Sequence, residues 1–450
     1  MYRSKRIPCV LLALGIPLAS QAALAGYSFE YENLKGEINL TAGAASVTTR
    51  GANFGAGAVD VRSLENKGSK VGWQEAYLKP GITLDYSLSD TLSLLAGASA
   101  VAAGTYGDGD AGGFTRSADN RINTEEAYVG IRAGDWKFTA GRQNYIIGSG
   151  FIVMDGNLDL FGDGAYWLGP RTAFKDSAVL DWSHGPVKTQ AFTLRTDDHY
   201  GDYRMTGANL DYDLAGQVTL GAMAMKVDTL ASKSSNATRR DGMQVYNLRA
   251  LGGQLPGLPN LTLNGEYAVQ RGGDSGREFD AKAWYAQADY QFQDLPFTPT
   301  LGYRYAVFSG DDNLADNTQK AWDPLNKGFV DWSSWLVGDV MGNYLLFNSN
   351  ERVQQLSLRS RVTDTVAVGT IHYQFWLDEK NFNGQAVDDR RFADETVVFV
   401  DWTPTPSFTG SVAYNWVTAK SAAKQFFGDD EQFSALELYM TYRYLSLIHI

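Results

Sequence analysis

The sequence predicts an all-β protein: a transmembrane antiparallel up-and-down β-barrel of about eighteen strands, with short periplasmic turns and long extracellular loops. Three observations predict it. In the segment from Leu436 to Tyr444, Leu436, Leu438, Met440, Tyr442 and Tyr444 share one face, while Glu437, Tyr439, Thr441 and Arg443 share the other. That is a strand between lipid and water, ending in aromatics suited to an interface girdle. Next, period-2 segments recur along the chain, and the connections between them alternate between tight and long. Finally, 24 Tyr, 22 Phe, 11 Trp and 47 Gly beside only 12 Pro suit aromatic girdles and tightly curved strands.

At the N-terminus, Arg3, Lys5 and Arg6 precede an apolar run from Ile7 to Leu18, and Ala23-Leu24-Ala25 precedes Gly26. This predicts a secretory signal over residues 1–25. The apolar run is short of the roughly 20 residues a spanning helix needs. The one cysteine, Cys9, lies inside it, so the remaining chain is expected to carry no disulfide and no thiolate metal site. The chain has 39 Lys plus Arg and 51 Asp plus Glu; without the three basic residues of the signal, 36 face 51, a net charge of −15. Such acidity argues against a nucleic-acid partner. A mean hydropathy of −0.26 is too polar for a helical membrane protein, but in a barrel only alternate strand residues meet lipid.

The expected strands run approximately over 28–49, 70–88, 91–103, 124–133, 135–143, 177–183, 187–196, 204–214 and 217–227, then 243–251, 259–271, 281–293, 298–308, 351–361, 365–377, 394–402, 407–417 and 433–444. Ser89-Asp90, Gly134, His184-Gly185-Pro186, Ala215-Gly216, Thr363-Asp364 and Thr403-Pro404-Thr405-Pro406 read as tight turns. Longer polar segments at 50–69, 104–123, 144–176, 228–242, 309–350, 378–393 and 418–432 read as outer loops. The barrel thus occupies 26–444, both termini are periplasmic, and 445–450, which breaks the alternation, is a non-barrel tail and reads as artefactual.

Alternation assigns candidate lumenal residues. Gln355, Ser357, Arg359 and Arg361 are expected inside, as are Thr370, His372, Gln374 and Trp376 of the next strand, with Ile371, Tyr373, Phe375 and Leu377 toward lipid. The same rule places Arg132, Arg195, Arg249, Arg304 and Arg443 inside with Glu75, Glu126, Asp181, Glu266, Asp289 and Glu437. Each of these charges also fits a wall ion pair, which contributes little. Arg359 and Arg361, like charges on one face, are the stronger functional candidates. The segments 144–176 and 309–350 far exceed ordinary loops of about 4 to 6 residues and are apolar in part, so at least one is expected to fold into the lumen as a constriction. Its anchors would be Phe151, Ile152, Val153, Phe161, Tyr166 and Trp167, with Trp332, Trp335 and Tyr344 in the second.

Other motifs are weaker. Asp155-Gly156-Asn157-Leu158-Asp159 begins like a calcium loop, but Leu160 stands where the turn needs Gly, and a solvated acidic loop is expected instead. Asp311-Asp312 and Asp429-Asp430-Glu431 are outer-loop clusters suited to bridging cations to lipopolysaccharide. His184, His199 and His372, with His449 in the tail, form no constellation with a nucleophile, so neither an enzyme nor a cofactor or metal site is expected.

Several stretches resemble the alginate-export family of outer-membrane porins: Glu126-Ala127-Tyr128-Val129-Gly130 leading to Ala140-Gly141-Arg142-Gln143, and Trp322-Asp323-Pro324-Leu325. Gly338-Asp339-Val340-Met341-Gly342-Asn343-Tyr344 with Asn348-Ser349-Asn350, then Phe392-Ala393-Asp394-Glu395 and Phe427-Gly428-Asp429-Asp430, extend it. The resemblance implies a monomeric barrel in the outer membrane of a Gram-negative bacterium, passing polyuronate or a related anionic sugar through an arginine-lined constriction. Its implied partners are membrane lipid, lipopolysaccharide, the anionic sugar and periplasmic export proteins. Arg142 matches one arginine of that constriction, whereas Glu125 and Leu377 stand where two others align. A general or neutral-solute porin, an outer-membrane hydrolase and a plugged surface barrel are the alternatives.

Overall fold

The computed structural model describes residues 26–198, 201–230, 240–274, 276–326, 341–342 and 345–444. Trp332, Trp335, Tyr344, His199, His449, the expected signal and the tail lie outside these. Eighteen strands form the wall: β1 (Leu34–Arg50), β2 (Val71–Ser89), β3 (Leu92–Gly107), β4 (Asn120–Ala133), β5 (Trp136–Gln143), β6 (Phe174–His184), β7 (Val187–Arg195), β8 (Tyr203–Leu214) and β9 (Val218–Thr229). The second half is β10 (Met243–Leu255), β11 (Leu258–Gly272), β12 (Glu278–Gln291), β13 (Thr300–Phe308), β14 (Glu351–Arg361), β15 (Val366–Leu377), β16 (Arg391–Thr405), β17 (Phe408–Ala419) and β18 (Phe433–Arg443).

Each strand pairs antiparallel with its sequence neighbours, and β18 closes on β1 from Thr41↔Arg443 to Arg50↔Ser434. A short strand, Tyr27–Tyr31, folds back on the start of β1. Tight turns at one end alternate with long loops at the other. The tight end uses residues able to reverse the chain: Gly134, between β4 and β5, has φ 56°, which a side chain with a Cβ resists. Wall glycines also admit inward rings. A Cβ on Gly369 of β15 would lie 2.4 Å from the Phe399 ring of β16.

The outer surface is apolar and open to lipid: Leu356, Leu358, Val398, Val400, Val412, Leu436 and Leu438 are exposed. The inner face is apolar too, in the half of the barrel nearest the long loops, because chain fills the lumen there. This inverts the expected facing of β15. Leu356 pairs directly with His372 and Leu358 with Thr370, and directly paired residues share a side. Thr370, His372, Gln374 and Trp376 therefore face outward, and the buried Ile371, Tyr373, Phe375 and Leu377 face inward. Alternation shows that a strand has two faces; which one meets lipid was misread here because the inner wall is the greasier. Arg195 is also displaced from its expected place. It pairs with Asp176, in step with Thr193↔Ala178 and Ala191↔Leu180 on the outward side, and lies at the loop-end rim in ion pairs to Asp176 (3.1 Å) and Asp202 (2.7 Å).

The outward assignment of the closing strand is testable. Leu438→Arg should destabilise the barrel by about 2 to 4 kcal/mol, the usual cost of a cation near the bilayer midplane. Denaturant unfolding in lipid vesicles measures it, and an unchanged midpoint would mean that position 438 does not face lipid.

Candidate functional site

The segment 144–173, between β5 and β6, turns into the barrel instead of standing above it. Phe151 packs on Tyr285 of β12 (ring centroids 5.2 Å apart) and Phe308 of β13 (5.8 Å), and Ile152 and Val153 are buried beside it. Further along, Trp167 meets Trp73 of β2 edge-on at 5.6 Å. Tyr166 lies 4.6 Å from Phe114 of the neighbouring loop, and the Arg62 guanidinium stands 5.6 Å over the Phe161 ring.

A buried segment with little regular structure brings backbone N–H groups that need acceptors. Inward glutamates of the wall supply them. Glu75 accepts hydrogen bonds from the amides of Trp167 (3.2 Å) and Leu168 (2.8 Å), and Glu125 from those of Thr172 (2.9 Å) and Ala173 (3.1 Å). Glu266 accepts one from the Ser149 hydroxyl. Glu125 and Glu126 are adjacent in sequence, yet both lie on the inner side. A bulge opposite Ser99 and Ala100 of β3 shifts the register between them.

Around Glu125 lies a balanced charge network. Arg171, almost fully buried, bonds Asp163 (2.5 Å) and lies 3.8 Å from both Glu125 and Asp197. Its backbone N–H donates to Asp159 (3.0 Å). Lys79 of β2 reaches Glu125 and donates to the Pro170 carbonyl, each at 3.1 Å. Arg142 pairs with Asp197 (3.1 Å) and Arg121 with Asp163 (3.4 Å). Burial pushes the Asp159 carboxyl well above its ordinary value, against the pull of Arg171. The expected solvated loop at 155–159 is thus corrected: Asn157 and Asp159 are buried in the folded-in segment.

A second loop locks onto the first. The Asn326 carbonyl accepts from the amides of Met154 (2.5 Å) and Asp155 (3.0 Å). Its side-chain amide donates to the Asp155 carbonyl (2.5 Å) and accepts from the Tyr203 hydroxyl (2.7 Å). Nearby, Arg240 lies over the Tyr203 ring and forms a two-pronged pair with Asp323 (2.7 and 2.9 Å).

The arginines singled out from sequence do not converge. Arg142 ends β5 at the long-loop end, and Arg359 and Arg361 end β14 at the tight-turn end, nine strands away around the barrel. Arg359 is held by Asp401 (2.8 Å), which also accepts from the Ser411 hydroxyl. Arg361 is exposed and its side chain has no ion-pair partner among the described residues. Arg132 faces inward, paired with Asp85 at 2.6 Å. Arg304 is buried, accepted by Gln287 (2.8 Å) and lying over Tyr285. His372, Gln374, Trp376 and Arg195 are outside the lumen, as described above. Sequence reasoning missed Lys79, Arg171, Asp163 and Asn326. The only available signal was a cation beside Gly169-Pro170 in an unusually long loop, since irregular chain has no period from which to read contacts.

The model of a protein family described as alginate export matches residues 97–397 of this chain. No curated protein matches it. Among solved structures, it is similar to OpdL of Pseudomonas aeruginosa (12% identity, TM-score 0.57, covering 91% of this chain and 98% of that one). It is also similar to OccAB4 of Acinetobacter baumannii (12%, 0.56, 91% and 97%) and to OccK11 (OpdR) of Pseudomonas aeruginosa (13%, 0.55, 91% and 96%). At these identities the likeness shows the fold, that of outer-membrane porin barrels.

The charge network should hold the loop in place. Arg171→Ala removes the central cation from Glu125, Asp163 and Asp197, and breaking such a buried pair costs about 3 to 5 kcal/mol. The expected outcome is protease cleavage within 144–173 while the barrel stays intact. Equal resistance in variant and parent would show that Arg171 does not retain the loop.

Proposed function

The chain belongs to the alginate export family, and from that premise we propose that it is a passive outer-membrane channel for acidic polysaccharide, oligosaccharides or other small anions. The observation that carries this reading is the folded-in segment 144–173: it narrows a wide barrel and is held there by noncovalent contacts alone. The reading is of a conduit and not a catalyst, because family and fold are those of channel porins. Solute would cross down its gradient, from or toward periplasmic partners, with the acidic loop clusters turned to lipopolysaccharide.

Selectivity rests on charges that remain available to a passing carboxylate. Arg142 and Arg359 are neutralised by Asp197 and Asp401, which leaves Arg361 at the tight-turn mouth as the exposed cation of the three. An exposed pair at about 4 Å gains about 1 kcal/mol in water and several times that where the effective dielectric falls. Salt screens it beyond about 8 to 10 Å, so the narrow section dominates. A second reading, a general porin without anion preference, is favoured by the net charge of −15 and by the neutralisation of Arg142 and Arg359 within the wall.

Recordings in planar bilayers distinguish the two. An anion channel gives a reversal potential on the anion side and is blocked by oligouronates; cation preference without such block selects the general porin. Deleting 151–167 should raise single-channel conductance, and an unchanged conductance would remove that segment as the restriction. Arg361→Ala should weaken oligouronate block by about fivefold, the equivalent of about 1 kcal/mol. Unaltered block would take Arg361 out of the path.

A further inference from the structure

Beyond the point where β18 ends, the edge of β1 is covered by the chain's own N-terminal strand. The ladder of β18 on β1 ends at Thr41↔Arg443, and the Tyr444 amide donates to the Leu40 carbonyl at 2.9 Å. Tyr27–Tyr31 then takes up the same edge from Ile38 to Leu34, antiparallel to β1 as β18 is. Tyr27 and Tyr31 are exposed on the lipid side, as are Tyr86 of β2 and Tyr442 and Tyr444, and together they form the aromatic girdle of the tight-turn end. Ser28 stands opposite the inward Glu37, and the Phe29 ring fills the space a Cβ on Gly36 would take. The short strand is thus part of the wall: it continues the line of β18 and completes the seam.

That line leaves no rung ahead of Gly26. Continuing the register from Tyr27↔Ile38, Gly26 stands level with Asn39, and a further residue in the ladder would need the rung at Leu40, which Tyr444 holds. Gly26 is buried. A Cβ there would lie 1.9 Å from the Ile38 carbonyl oxygen and 2.9 Å from the Asn39 Cα, so a side chain does not fit. The Gly26 nitrogen donates to the Glu37 carboxylate at 2.8 Å. It is the one hydrogen bond the Glu37 side chain makes among the described residues, and Lys35, two residues along β1, is turned to Glu30 at 3.6 Å.

We propose that removal of the leader makes the group that locks this seam: the α-ammonium of Gly26, held by the carboxylate of Glu37. The leader predicted from sequence ends at Ala25. Hydrolysis there adds water across the Ala25–Gly26 peptide bond; the leader leaves with the new carboxyl group, and the Gly26 nitrogen changes from an amide to an amine. An α-amino group has an ordinary pKa of about 7.7 to 8.0, so at about pH 7 it is mostly protonated. A hydrogen bond between two charged groups is roughly twice as strong as one between neutral groups. Glu37 thus gains its counter-charge only in the processed chain, and only that chain begins where the ladder has room. The inference goes beyond the transport reading, since it ties processing of the exported chain to the closing of its barrel.

The intact mass of the protein taken from outer membranes should be that of a chain starting at Gly26, and any other start overturns the proposal. In the folded barrel, an N-hydroxysuccinimide ester at about pH 7 should label the Gly26 amine about tenfold more slowly than in the urea-unfolded chain, read by mass spectrometry of the N-terminal peptide. This measurement needs no variant, and equal rates would refute the ion pair. Glu37→Gln keeps an acceptor that would serve a neutral amide but removes the charge. With its barrel shown closed by heat-modifiable migration, the variant should be labelled at Gly26 about tenfold faster than the parent, and chymotrypsin should cut it at Tyr27, Phe29 or Tyr31. A closed variant as slow to label and as resistant as the parent would show that the charge on the Gly26 nitrogen does not hold the strand, and the proposal would fall.

Discussion

No backbone N–H or C=O can be left open to hydrocarbon, and every large feature of this molecule follows from that. A sheet meets the requirement only by closing, which is why β18 must find β1 and why the eighteen strands form one ring. The same requirement governs what enters the ring. The segment 144–173 carries amides away from bulk water without the regular ladder that would pair them. The wall answers with Glu75 and Glu125, whose carboxylates each accept from two consecutive amides. Acids that look from sequence like a lining for solutes are, in these two cases, acceptors for the protein's own chain.

Those acids need counter-charges, and the loop brings one with it. Arg171 enters among Glu125, Asp163 and Asp197, while Lys79 approaches Glu125 from the wall. Arg142, expected from sequence at a constriction, is spent on Asp197 at the edge of this network. Glu125 is its anchor. The cations of this region thus serve as a cross-link between loop and wall. Buried charge pairs of this kind are costly to desolvate, and losing one partner leaves the other uncompensated.

Strand positions were legible because period-2 alternation and turn chemistry are local. The expected span 351–361 is that of β14, and 204–214 differs from β8 by one residue. Facing was legible on strands with one apolar side, such as β18, and misleading on β15, where Ile371, Tyr373 and Phe375 pack inward while His372 and Gln374 look out. The rule that the greasy side meets lipid fails once the lumen is filled by greasy chain. Contacts of the loops were not legible at all. Nothing local in the sequence ties Asn326 to Met154 and Tyr203, 123 positions from Tyr203 along the chain, and the bulge that turns Glu125 and Glu126 to the same side is a property of a pair of strands.

The seam between β1 and β18 also sets an order in time. The strand that completes the ring is the last of the eighteen to be synthesised, and its partner is the first. Without β18, seventeen strands would present two raw edges, open to pairing with any other chain. Contacts this distant in sequence form slowly. Closure of the ring therefore cannot precede synthesis of β18.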